Sequence, residues 1–189
     1  MSNVIRTGFL AILMAAPLSF APSLAAATLV SVDSTAISGT GDLSILISNV
    51  SDLYAFQFDL SFDASLVQLL NISEGGFLPS AGTTMFVPGT IDNTTGSATG
   101  TADTLVGMIP GASGSGVLAS FTFQRIAPGT SPISLSNVVL LDSNLNEILF
   151  TIQNGSITTV PEPRQFLAGF LALIGWAFFT RARRRSFRA

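Results

Sequence analysis

The side chains that carry out most enzymatic proton transfer are missing from this chain. Its 189 residues include no histidine, no cysteine and no lysine, and all eight bases are arginine. Histidine- and cysteine-based catalysis, Ser-Lys pairs and Schiff bases are excluded, and no disulfide framework is possible. Carboxylates and hydroxyls remain. Asp59 and Asp63 stand four apart on an alternating segment and share its polar face. Extended backbone separates them by ~13 Å, beyond the roughly 5–9.5 Å used by paired glycosidase carboxylates. They read as a solvated strand face. Asp103 and Glu147 are carboxylates whose neighbours only the fold can supply. These counts disfavour a polysaccharide-acting hydrolase, and the chain reads as no enzyme.

Binding chemistry is better represented. The segment "LDSNLNEI" sets Asp142, Asn144 and Asn146 at alternate positions, the oxygen spacing of the first half of a calcium loop. Glu147 occupies the sixth position, where such a loop needs Gly, and Gln153 the twelfth, where it needs Glu. Asp142, Asn144 and Asn146 are therefore calcium candidates set against ordinary turn chemistry, which the missing positions favour. "GASGSG" lacks the Lys-Ser/Thr end of a phosphate loop. Phe77, Met85 and Phe86 offer apolar surface for sugar stacking, against the alternative of a place in the core. Four Asn-x-Ser/Thr triplets, at Asn49, Asn71, Asn93 and Asn154, carry no information outside a eukaryotic host.

Charge is distributed unevenly. Ten of the eleven acids lie between Asp33 and Glu147, where Arg125 is the one base, so that span carries −9. Such a body repels nucleic-acid phosphates, and no nucleic-acid partner is expected. Six arginines follow Glu162 beside an apolar run, a membrane pattern.

The elements that must position these residues read as strands. In "LYAFQFDLSFD", Tyr54, Phe56, Phe58, Leu60 and Phe62 fall on one face, and Ala55, Gln57, Asp59, Ser61 and Asp63 on the other. "GVLASFTFQ" repeats the pattern, with Val117, Ala119, Phe121 and Phe123 inward. "LSILISNV" does so with Leu43, Ile45 and Ile47. Further strands are expected over 29–33, 66–72, 84–87, 97–102, 133–140, 148–152 and 156–160. Gly- and Pro-rich turns such as "SGTGD", "PGASGSG" and "APGTSP" separate them. The spacing predicts an all-β sandwich or barrel with antiparallel pairing.

Both ends are apolar. Arg6, the run from Gly8 to Ala16 and the small residues Ser23 to Ala27 predict a secretory signal peptide over 1–27, removed by signal peptidase. Pro17 and Pro22 interrupt the run and argue against an uncleaved helix. At the other end Phe166 to Phe179 is a fourteen-residue stretch without charge. It spans roughly 21 Å as a helix against a hydrocarbon core of ~30 Å. Flanking residues extend it to a predicted transmembrane helix over about 165–180. Arg181, Arg183, Arg184 and Arg185, within the Arg-rich tail 181–188, hold the C-terminus in the cytoplasm, so the body over 28–160 lies outside. Pro161-Glu162-Pro163 forms a stiff, extended hinge before the helix.

Two resemblances follow from these segments. "VPEPRQFLAGFLALIGWAFFTRARRRSFRA", with Pro-Glu-Pro, a short apolar helix and an arginine cluster in that order, resembles the PEP-CTERM sorting signal of Gram-negative bacteria. The resemblance covers 161–189 and implies recognition of Pro161, Glu162 and Pro163 by an exosortase in the inner membrane. It further implies delivery to the cell surface or an exopolysaccharide matrix; a plain C-terminal anchor is the alternative. The body, with "YAFQFDLSFD", "EGGFL", "GSGVLASFTFQ", "GTSPISLSNVVLLDSN" and "NGSIT" in order, resembles a cohesin domain. That implies an antiparallel jelly-roll β-sandwich of about nine strands and a non-catalytic module for protein–protein adhesion, the cellulosomal partner being a dockerin. Carbohydrate binding, to an exopolysaccharide, is the alternative function. Replacing Pro161 and Glu162 by Ala is expected to leave the tail uncut and the protein in the inner membrane. Intact mass and cell fractionation measure this, and an unchanged mature mass and location would contradict the sorting reading.

Overall fold

A computed structural model describes residues 26–160. Eleven strands form: β1 (Thr28–Val32), β2 (Thr35–Ile37), β3 (Thr40–Ser61), β4 (Val67–Glu74), β5 (Thr84–Val87), β6 (Thr90–Asp92), β7 (Ser97–Leu105), β8 (Ala112–Arg125), β9 (Gly129–Asp142), β10 (Phe150–Gln153) and β11 (Gly155–Thr159). One 3-10 turn, Leu78–Ser80, lies between β4 and β5. Among the described residues no helix is long and apolar enough to cross a membrane. The signal peptide (save residues 26 and 27), the helix over 165–180, Pro161-Glu162-Pro163 and the arginine tail lie outside the described residues.

The two segments expected as separate strands, Leu43–Val50 and Leu53–Asp63, are one 22-residue strand. β3 serves two sheets. Its first half pairs with β1 on one side and β8 on the other, giving the order β10–β1–β3–β8–β4. Its second half pairs with β7 and β9, giving β2–β11–β9–β3–β7, with β5 and β6 side by side along the far edge of β7. The strand changes partners at two bulges. The inward spacing widens from two to three at Ile47, Val50 and Leu53, against steps of two at Gly116, Gly114 and Ala112 on β8. Asn49 and Asp52 supply the extra residues, with φ of 56° and 61°. A bulge leaves an amide unpaired in the ladder, and here serine hydroxyls accept both. Ser115 Oγ takes the Asn49 N–H at 3.1 Å and Ser113 Oγ the Asp52 N–H at 2.9 Å. The segment "GASGSG" thus satisfies the bulges of the neighbouring strand.

Between the sheets lies one apolar core. Leu43, Ile45, Ile47, Leu53, Phe58 and Leu60 of β3 are essentially inaccessible. They meet Phe121 and Phe123 of β8: Phe58 and Phe121 lie 6.1 Å apart, and Phe62 packs edge-on to Phe123 at 5.3 Å. The expected inward row of β8 holds for Ala119, Phe121 and Phe123, but Val117 is half-exposed and Leu118 is buried. A register shift between Ile45 and Leu46 places one extra β8 residue there and moves the alternation by one. The pairing is antiparallel except for β1 with β10 and β2 with β11, which are parallel. Those two short edge pairs, and the three-residue strands β2 and β6, were not legible in the alternation.

Asp59 is more than a solvated residue. Its carboxylate accepts the Gly100 amide at 2.7 Å and the Asn137 side-chain amide at 2.6 Å, so it fastens irregular points of both β7 and β9. Gly96 closes the Asp92–Gly96 turn at φ 73°, and a Cβ there would lie 2.2 Å from the Phe62 carbonyl oxygen. Gly100 shares that φ with nothing within 4 Å. Gly100→Ala is expected to cost about 1 kcal/mol and Gly96→Ala about 2–3 kcal/mol, since only the second adds a clash to the strain. Urea unfolding of both variants measures the difference; equal losses would contradict the packing described at Gly96.

Candidate docking face

An antiparallel sheet with one face on a core ordinarily shows polar residues on the other. The sheet of β5, β7, the second half of β3, and β9 departs from that rule. Cross-strand register aligns Met85, Thr104, Ala55 and Leu141 in one outward row. The next row is Val87, Ala102, Gln57 and Val139. Six of these eight are apolar. Met85 is 62% exposed and Val87 48%. Their side chains and those of Val139 and Leu141 rise on either side of the small Ala55 and Ala102, forming a shallow depression of about 280 Å³. An exposed apolar patch on a sheet face, floored by alanines, is a surface shaped to be covered by something.

One end of this face is built by two loops held on one carboxylate. Asp52 Oδ1 accepts the Gly111 amide at 2.6 Å, and Oδ2 accepts the Ser143 hydroxyl at 2.6 Å and its amide at 3.3 Å. The Ser143 hydroxyl, then the Gly111 amide, hold the Asp52 carboxyl below its usual range. The Tyr54 hydroxyl donates to the Gly107 carbonyl at 2.6 Å. The loops so fixed present Met108 and Leu145, both largely exposed, around a concavity of about 600 Å³.

The calcium candidates sit on the second of these loops. Asp142 Oδ1 accepts the amides of Asn144 and Asn146, each at 2.8 Å, and the Asn146 side-chain amide donates to Oδ2 at 3.1 Å. Leu145 takes φ 64° to close the turn. The Asn146 amide is the largest of the contacts that hold Asp142 below the usual carboxylate range. The three residues come together, but as a turn in which Asn146 turns its donor, not its oxygen, to the carboxylate. Among the described residues no group of three or more carboxylates is arranged to hold a metal ion.

The remaining candidates separate. Phe77 is buried and Phe86 is packed against the core, leaving Met85 alone on the surface. None of the large apolar side chains exposed among the described residues is aromatic, and Tyr54, half-buried, is the aromatic that lines the concavity beside Met108 and Leu145. Asp63 caps a turn, accepting from the Ser65 amide and hydroxyl at 2.9 and 2.6 Å. The Asn93 side chain pairs with both the amide and the carbonyl of Leu69, at 2.8 and 2.9 Å, as a strand would. Asn154 accepts the Leu135 amide at 3.1 Å.

The model of the cohesin domain family matches residues 25–159. The chain belongs to the cohesin family. Solved cohesins share its fold at low identity. The non-cellulosomal cohesin of the hyperthermophilic archaeon Archaeoglobus fulgidus is 15% identical, with 76% of this chain and 98% of that one covered at a TM-score of 0.59. The third ScaC cohesin of Acetivibrio cellulolyticus, solved with the ScaB dockerin, is 19% identical, with 70% and 99% covered at 0.59. CaCohA2 of Clostridium acetobutylicum is 20% identical, with 71% and 91% covered at 0.56. No curated protein matches this cohesin. The outward apolar rows were not anticipated, although a signal existed: "TMFV" and "VVLL" are apolar at successive positions, so they supply both faces. Because the Asp142 carboxylate already accepts three donors from its own turn, millimolar calcium is expected to leave the melting midpoint and the calorimetric baseline unchanged. A saturable heat of binding that Asp142→Ala abolishes would contradict this.

Proposed function

We propose that this cohesin is a non-catalytic protein-binding module that docks a dockerin-like partner on the outer face of β5, β7, β3 and β9. The observation that carries the reading is the depression between Met85 and Val87 on one side and Val139 and Leu141 on the other. The face is broad, apolar and nearly free of charge, while the body around it is strongly acidic. Such a surface suits a helical partner with an apolar ridge and basic flanks, giving a dry centre and a polar rim. The cohesin of Acetivibrio cellulolyticus, solved with a dockerin, supports the class of partner. Carbohydrate binding is the weaker reading, because the large apolar side chains exposed among the described residues are all aliphatic or Met.

The ends of the chain supply the place of action. The apolar N-terminus, the Pro161-Glu162-Pro163 hinge, the apolar run and the arginine cluster support export by a signal peptide and sorting by an exosortase. The cohesin body then acts at the Gram-negative cell surface or in the extracellular matrix. The tail crosses the inner membrane only in transit, with its C-terminus in the cytoplasm.

Met85→Asp and Val139→Asp, introduced singly on opposite walls, are each expected to weaken binding of a purified calcium-loaded dockerin by about tenfold or more, with melting little changed. Surface-charge exchanges are tolerated at exposed sites, so the folded state survives both. Undiminished dockerin binding by both variants, or saturable exopolysaccharide binding without any dockerin binding, would overturn the proposal.

A further inference from the structure

One buried carboxylate beside the docking depression is left with an oxygen that no donor reaches. Asp103 lies in β7 and points inward between Thr101 and Leu105, 2% exposed. Its Oδ1 accepts the Thr104 amide at 2.9 Å, while its Oδ2 is buried without a donor. The titratable group that faces it is a second carboxyl, Glu74, at the end of β4. Glu74 also accepts the Thr84 hydroxyl of β5. The cross-strand neighbours of Asp103, Phe86 of β5 and Phe56 of β3, are uncharged. The one base among the described residues, Arg125, stands opposite Val67 at the far end of β4.

Asp103 is buried and Glu74 exposed, so the cost of ionising both falls on Asp103, and a counter-charge relieves it. A cation or a proton must supply it. Calcium takes six to eight oxygens, more than two carboxyls and one committed hydroxyl provide here. A proton needs only the two oxygens that face each other, and it gives the orphaned Oδ2 its partner.

We propose that Asp103 and Glu74 share one proton at neutral pH, and that this carboxyl–carboxylate bond latches the end of β4 to β7, while the Thr84 hydroxyl ties the same Glu74 carboxyl to the edge strand β5. Met85 and Val87 on β5 form one wall of the docking depression, so release of the latch loosens that wall. The consequence for docking rests on the function proposed above; the latch itself does not. Burial first, and then the neighbouring Glu74, push Asp103 up to about 7 from its usual 3.8. A folded-state value above the unfolded one means that the folded chain keeps a proton the unfolded chain has lost. The stabilisation is therefore complete below 3.8 and is lost as pH rises through about 7.

The test uses the full-length chain without any partner, so its outcome is independent of dockerin binding. Carboxyl-carbon NMR titration of the wild type, Asp103→Asn and Glu74→Gln is combined with hydrogen–deuterium exchange over 84–87, corrected for intrinsic rates. The expected result is an Asp103 midpoint near 7, lowered in Glu74→Gln, where the new amide donates to Oδ2. Exchange over β5 is expected to rise about tenfold between roughly pH 6 and 8 in the wild type and to stay flat in Asp103→Asn. An Asp103 midpoint near its ordinary value, or the same pH course of exchange in Asp103→Asn, would overturn the latch. So would an Asp103 resonance that moves with millimolar calcium at constant pH, since a cation would then hold the pair.

Discussion

The fold depends on one strand being able to belong to two sheets. β3 lays a continuous inward row from Leu43 to Leu60 through the core, and every other large element is hydrogen-bonded to it or to one of its neighbours. A regular strand of that length would carry its twist straight past the second layer. The bulges at Asn49 and Asp52 bend it and rephase it, so the same face stays buried on both sides of the change of partners. Their cost is two amides outside the ladder, and Ser113 and Ser115 remove that cost. Just before β8, Gly111 lets the backbone approach the bulge, since a Cβ there would lie 2.4 Å from the Asp52 carbonyl carbon, and Gly114 supplies a φ of 120°.

The docking face is a consequence of the same bend. Past Asp52, β3 becomes the centre of the second sheet, and its outward residues fall on Ala55 and Gln57 between the apolar edges of β5 and β9. Asp52 works twice: its backbone makes the bulge, and its carboxylate holds the loops at 106–111 and 142–145 that frame one end of the face. Asp59, seven residues further along, fastens Gly100 and Asn137 on the flanking strands. A small set of acidic side chains therefore does structural work, which leaves the rest of the negative charge to the rim and to solvent.

Much of this was legible in the sequence, because burial on one face imposes a period of two. The inward rows of "SILIS" and "FQFDLSF" announce themselves, and turn residues mark most strand limits. Alternation fails where geometry breaks it. Leu118 is buried in place of Val117 because a bulge moves the register by one. The join between Val50 and Leu53 is invisible because two left-handed residues keep a strand going where the period stops. β2 and β6 are too short to show any period. The docking face is illegible for a related reason: Met85, Val87, Val139 and Leu141 sit in runs apolar on both faces, which read simply as core. The Asp103–Glu74 pair joins residues from separate strands, and no local pattern connects them. The absence of His, Cys and Lys needed no structure to be informative.

The central claim is that the partner lands on the outer face of β5, β7, β3 and β9. Its most direct test is a hydrogen-exchange footprint of the full-length chain with and without saturating dockerin. Protection is predicted over 55–57, 85–87, 102–104 and 139–141, with the edge formed by β10 unchanged. Protection confined to β10 and β1, or to β4, would contradict it.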